Sequence, residues 1–273
     1  MSKKSFGSRL CASPYIVWSI IFIIAPLVMV VQYSFSDANG AFTFDNIKEL
    51  SRYTDTFLIS VLYALIATII CLLMSYPFAY FMTRTSKNHQ QTMMMLVMLP
   101  MWMNFLIRTY SWITILSNNG IINSIISSLG FDKIQLINTP GAVILGMIYN
   151  YIPYMILPIY SVMCKIETPL LEAADDLGSS GFMKLRKIIL PMSIPGVVSG
   201  ITMVFVPAIS TFYISQKLGG GKTLLIGDVI ESQFMSASNY NLGAALSLVL
   251  MVLILISMFI MNRFADEDGG VLI

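Results

Sequence analysis

The sequence predicts an all-α polytopic membrane protein with six transmembrane helices and both termini in the cytoplasm, and three observations predict it. Of its 273 residues, 56% are hydrophobic and only 11% are charged, an apolar excess that soluble domains do not carry. Six apolar runs are each close to the length that crosses the hydrocarbon as a helix, and lipid leaves backbone polar groups no partner outside their own helix. Basic residues alternate in density between successive connections, which fixes orientation. A net charge of +2 and a lone histidine, His89, give neither a nucleic-acid surface nor a metal cluster. Cys11, Cys71 and Cys164 have no metal spacing, and no disulfide is expected.

The first run, 14–35, follows Lys3, Lys4 and Arg9 and ends at small residues, Ser34 and Ser36. Its apolar core is longer than the about 7–15 residues of a signal peptide. It is read as a retained anchor, with 1–13 as the cytoplasmic N-terminus and 14–56 as first helix and outer loop. The remaining runs, 57–82, 92–116, 142–164, 188–214 and 242–262, fall within a membrane domain over 57–263, followed by an acidic tail over 264–273. Asn104 and Asn150 are expected to hydrogen-bond between helices, and Gly196-x-x-x-Gly200 to allow close helix approach. Pro195 and Pro207 permit bends.

With the N-terminus inside, ten basic residues face the cytoplasm, among them Arg84, Lys165, Lys184, Arg186 and Lys187. Five lie outside: Lys48, Arg52, Lys133, Lys217 and Lys222. All fourteen acidic residues fall outside the spans. Ion-coupled secondary carriers commonly use an intramembrane carboxylate or histidine as a relay, so that class is disfavoured and energy is expected from another subunit. A membrane enzyme is disfavoured too, since no nucleophile–base pair is apparent. The stretch "KLGGGKTLLIGD", Lys217 to Asp228, ends like a phosphate-binding loop, but Gln216 stands where the first glycine is required and the orientation places the stretch outside.

The loop 165–191 is the most patterned connection. Thr168-Pro169 reads as an N-cap followed by proline at the first helical position. Leu170, Ala174 and Leu177 share a face by helical spacing, Gly178 supplies a left-handed stop, and Ser179 or Ser180 caps a second short helix. Glu172-Ala173-Ala174, Gly178, Ile188, Leu190 and Pro191 match at every fixed position the loop of ABC importer permeases of the type-1, MetI-like class, which this chain resembles. Four further stretches, "SYPFAYFMTR", "LPMWMNFLIRTYSW", "LLEAADDLG" and "VPAISTFYISQKLGGGKTLLIGDVIESQF", are similar to the spermidine/putrescine permeases of that class.

The resemblance implies a MetI-like permease fold and a coupling role for the loop. It also implies a second permease subunit, two copies of a cytoplasmic ATPase that uses ATP and Mg²⁺, and an extracytoplasmic polyamine-binding protein. No cofactor is expected to be bound by this chain itself. For a polycationic cargo, carboxylates and aromatic faces are the fitting groups. The substrate-path candidates are Asp228 and Glu231 in the last outer loop, which otherwise form a solvated loop face. Trp102, Tyr110, Trp112, Tyr151, Tyr154 and Tyr213 are the others, and otherwise serve interfacial anchoring or helix packing. Arg108, inside the third span, could snorkel outward, gate the pore or pair with an outer carboxylate; pairing is the expectation. An importer of the same architecture for an anion or a metal complex is the nearest rival.

Overall fold

The computed structural model describes residues 6–37 and 39–269. Lys3, Lys4 and the last residues of the 264–273 tail lie outside them. Two compact units form, 1–54 with 229–253, and 55–228 with 254–273. Among the described residues the secondary structure is helical, apart from one isolated bridge between Ser36 and Phe42.

In the first unit, α1 (Phe6–Ser19) continues through a π turn, Ile20–Ile24, into α2 (Ala25–Ser34). Pro26 explains the turn. Its ring would clash with the carbonyl four residues back, and the backbone opens so that Ala25 N–H reaches Ile20 O instead. The stretch Ser13–Ser34 is apolar and long enough to span a membrane. Beyond α2 the Asp37 N–H bonds Ala41 O at 2.9 Å, and the chain continues into α3 (Asp45–Glu49) and a 3-10 turn, Leu50–Tyr53. Phe35, Phe42 and Phe44 cluster there with ring centroids 5.0–5.9 Å apart. Asn46 Nδ2 and Asn241 Nδ2 both donate to Ser36 O at 2.8 Å, tying the end of α2 to α3 and to the start of the last helix.

In the second unit, α4 (Thr54–Thr83) is one thirty-residue helix. The third span, expected over 92–116, is broken. Helices α5 (Lys87–Trp102) and α6 (Phe105–Leu116) meet at 90°, with α7 (Ile121–Ser128) extending the pair. Pro100 lies in the last turn of α5, and Asn104 starts α6 by accepting the Leu106 N–H at 2.8 Å. Asn104 is therefore a helix cap and not the expected interhelical bond. Helix α8 (Pro140–Met163) starts on Thr139, whose Oγ1 accepts from Ala142 N–H with Pro140 following. Asn150 bonds its own helix, donating to Gly146 O at 2.8 Å, which also corrects the interhelical expectation.

After α8 come α9 (Thr168–Asp176) and α10 (Gly181–Lys184). A π turn, Leu185–Ile189, carries α10 into α11 (Leu190–Ile209), so Gly181–Ile209 runs as one helix. Here too the π turn precedes a proline, Pro191, and Leu190 N–H reaches Leu185 O. The fifth span ends at Ile209, earlier than expected, and α12 (Tyr213–Leu218) is a separate short helix. Helix α13 (Ile226–Met235) and α14 (Tyr240–Gly269) complete the chain; α14 continues into the expected tail as helix. Among the described residues five helices are long and apolar enough to span a membrane, six if the bent α5–α6 pair is counted as one span.

The centre of the second unit is the contact of α8 with α11. A Cβ at Gly196 would lie 2.8 Å from Pro158 O, and one at Gly200 would lie 2.7 Å from Met155 Sδ. Gly196 thus lets the Pro158 backbone approach closely, and Gly200 leaves room for the Met155 side chain. Around them pack buried Cys71, Ala79, Met155, Ile159, Met163, Ile189 and Val204. Substituting Gly196→Ala should cost about 1–3 kcal/mol through overpacking against a carbonyl that cannot retreat. The thermal unfolding midpoint in detergent should fall accordingly, whereas Gly181→Ala, with no atom within 4 Å of the added carbon, should leave it unchanged.

Candidate functional site

The loop 165–191 forms a compact knob, and its order follows from local chemistry. Helix α9 ends in a Schellman motif, with Gly178 N–H donating to Asp175 O at 2.8 Å and Ser179 N–H to Ala174 O at 3.0 Å. Gly178 takes φ +74°, the left-handed region that a side chain resists. Ser180 Oγ accepts from Met183 N–H and so caps α10, while Lys184 pairs with Asp175 across the two helices. The start of α9 differs from expectation: the helix begins at Thr168 with Glu167 as cap residue, and neither side chain caps it.

The inward face also differs. Leu171 and Ala174 are buried, whereas Leu170 and Leu177 point out, because the face that meets the bundle is one residue out of phase with the expected stripe. Leu171 joins the core beside Met163 and Ile189, with Ile166, Leu185 and Ile188 packed around it. The knob is thus continuous with the helix core. Its outer surface carries Glu172 and Ala173, both exposed, and the apolar side chains of Leu177 and Phe182, 86% and 72% exposed. Leu190 and Pro191 lie exposed at the entry to α11. Beside the knob a cavity of about 850 Å³ opens between α4, α5 and α8, lined by Arg84, Lys87 and Tyr160 among others. Tyr160 Oη donates to Gln90 Oε1 at 3.0 Å across it.

At the other end of the second unit, part of the expected aromatic set converges. Tyr151 and Tyr213 line a cavity of about 310 Å³ with Phe105, Ser210, Thr211 and Phe212. Tyr151 Oη donates to Pro207 O at 3.3 Å. The remaining aromatics do not join them: Trp112 packs edge-on against Tyr149, 5.3 Å between centroids, and Trp102 is 76% exposed. Tyr154 is exposed and does not line this cavity. Two cations sit among these rings. Lys217 Nζ lies 5.8 Å from the Tyr110 centroid and 5.7 Å from that of Tyr213, while the Arg108 guanidinium is 6.0 Å from Phe105. Lys217 was not expected here, although its position four residues after Tyr213 places both on one helical face.

Arg108 is 9% exposed and forms no ion pair among the described residues, contrary to the expected pairing. It points into the helix packing beside Phe105 and close enough to Tyr151 to act on it electrostatically, not outward toward a loop acid. Asp228 also differs from the solvated reading. It is 3% exposed, with Oδ2 accepting the Leu225 N–H at 2.7 Å in the turn that starts α13. Glu231, on the next turn of α13, is half-buried.

If Gly178 is what terminates α9, Gly178→Val should cost about 1–2 kcal/mol in the left-handed conformation. Hydrogen exchange at the Gly178 and Ser179 amides should then accelerate roughly 5- to 30-fold, and an unchanged rate would show that the motif stands without glycine.

The family model described as binding-protein-dependent transport system inner membrane component matches residues 75–267. The spermidine/putrescine transport system permease protein PotB of Haemophilus influenzae is 38% identical over 258 residues, covering 90% of each chain. The protein of the same name from Escherichia coli is 38% identical over 245 residues, 86% of this chain and 89% of that one. A bacterial ABC transporter that imports the acidic polysaccharide alginate has a chain of the same fold, with a TM-score of 0.75 at 19% identity, covering 95% of this chain and 94% of its own. The inward-facing MetNI methionine transporter matches with a TM-score of 0.56 at 17% identity, covering 78% and 94%. The chain belongs to the family of binding-protein-dependent transport system inner membrane components and is a multi-pass permease subunit of the bacterial inner membrane, not an enzyme.

Proposed function

We propose that this permease imports polyamines, spermidine or putrescine, with energy from ATP hydrolysed by a partner. The observation that carries the cargo is the 38% identity to spermidine/putrescine permeases, spread over 86–90% of the chain. The partners are a PotC-like second permease, two copies of a PotA-like ATPase that uses ATP and Mg²⁺, and a PotD-like binding protein. Both termini and the knob face the cytoplasm, in keeping with the basic residues of the 165–191 loop.

The knob suits a coupling element for two physical reasons. Leu171 and Ile189 belong to the same buried cluster as α8, so force on the knob passes into packed helices. The unbroken helix from Gly181 to Ile209 joins the knob to the fifth span with no flexible linker between them. ATP-driven closure of the ATPase pair would displace the knob and tilt α11 against α8, exposing the path alternately to each side. Moving such an equilibrium from 1:99 to 99:1 takes roughly 5.5 kcal/mol, which nucleotide binding and hydrolysis supply and contacts to one small cargo do not.

An anionic cargo is favoured by one observation, the placement of Lys217 and Arg108 among the rings at Tyr110, Tyr213 and Phe105. Uptake into proteoliposomes holding the four components separates the readings. Labelled spermidine should accumulate only with internal ATP and the binding protein, and accumulation of an anion alone would replace the polyamine reading. In the same assay Leu177→Ser with Phe182→Ser should cut ATP-driven uptake about 30-fold, the loss expected when about 2 kcal/mol of interface anchoring disappears. Because both side chains are exposed and pack little against their own chain, the unfolding midpoint should not move.

A further inference from the structure

The geometry points to an alkylammonium-binding cleft built around Asp37 in the first unit; the identity of the cation as a polyamine rests on the function proposed above. A cavity of about 610 Å³ opens there between the end of α2, residues Asp37, Asn39 and Gly40, and the turn before α14. Its walls include Met29, Tyr33, Asp37, Asn39, Asn239 and Tyr240, and among the described residues no lysine, arginine or histidine lines it.

Asp37 is fixed in place by its own turn. Oδ1 accepts the N–H groups of both Asn39 and Ala41 at 2.8 Å, and Asp37 N–H bonds Ala41 O at 2.9 Å. Oδ2 takes no hydrogen bond from any described residue, and Asp37 forms no ion pair among them. Two bases of the same unit pair with other acids, Lys48 with Asp45 and Arg52 with Glu49. The cleft therefore presents one uncompensated, positioned carboxylate.

Tyr33 and Tyr240, both substantially exposed, supply aromatic faces in the same cavity. An ammonium group is attracted by a carboxylate oxygen and by the face of an aromatic ring, and the methylenes that join the amines of a polyamine suit the apolar surface of Met29 and the rings. The second unit offers the opposite electrostatics, since Tyr110 and Tyr213 already face Lys217. Lys217 disfavours a cation beside the rings at Tyr110 and Tyr213, and Arg84 and Lys87 do so in the cavity at Tyr160, whereas Asp37 favours one.

Asp37→Asn tests this directly. Asparagine keeps a side-chain oxygen for the Asn39 and Ala41 N–H groups, so the turn persists and only the charge is lost. In nanodiscs holding the assembled transporter, two quantities are measured for wild type and variant: equilibrium binding of radiolabelled spermidine without the binding protein, and the docking affinity of the unloaded binding protein. The variant should bind spermidine about three- to fivefold more weakly, the scale of one exposed ion contact. Tyr240→Leu should give a similar loss and Tyr240→Phe should not. Weaker docking with unaltered spermidine binding also supports the cleft and assigns its ammonium to a lysine of the binding protein. No change in either quantity overturns it. Wild-type uptake of spermidine is scored separately: its absence would remove the polyamine reading, while the binding comparison, with spermidine as a plain ammonium probe, still judges the cleft.

Discussion

The close approach of α8 and α11 at Gly196 and Gly200 is the constraint on which the second unit depends. With hydrogen in place of a side chain at both positions, the backbone at Pro158 and the side chain of Met155 come within contact distance of α11. In lipid this matters more than in water, because burying apolar surface gains nothing against hydrocarbon tails and association rests on packing. The same buried cluster reaches Leu171 of the knob, so one packed body extends from membrane helices to the loop that a partner would touch. Methionine fills much of the interior, at Met82, Met147, Met155 and Met163, and its unbranched thioether tolerates small repacking.

The all-helical class, the first, second, fourth and sixth spans, and the Gly178 stop of the knob were legible from the sequence. Each depends on a local signal: apolar length or a glycine at a helix end. The break within the third span was not foreseen because hydropathy averages over a window and is blind to direction. Pro100 followed by Asn104 was the available sign of a break, and Asn104 was assigned to packing instead. The fifth span was extended too far for the same reason, since apolar residues continue past Ile209 although the helix stops.

Charge at the candidate sites was harder to read than fold. Asp228 looked like a loop acid, yet its Oδ2 takes a backbone N–H three residues upstream, a local bond that sequence position alone did not separate from solvent exposure. Arg108 was expected to find an acid and instead lies among aromatic rings and helix packing. The cleft at Asp37 was out of reach of sequence reasoning altogether, because its walls join residues some two hundred positions apart, as the Asn241 bond to Ser36 O shows. Contacts of that kind leave no periodicity in the chain.

The π turn at Leu185–Ile189 has a geometric consequence for how the knob is aimed. A π turn inserts one residue into an α-helix, and each residue is worth about 100° of rotation. The azimuth of Phe182 and Met183 about the helix axis is therefore offset by roughly a quarter-turn from where an unbroken α-helix leading into Ile189 would set it. Pro191, which prompts the wider turn, thus acts as an angular adjustment: it lets the fifth span keep its small-residue seam toward α8 while the segment before it presents a different side to the surroundings.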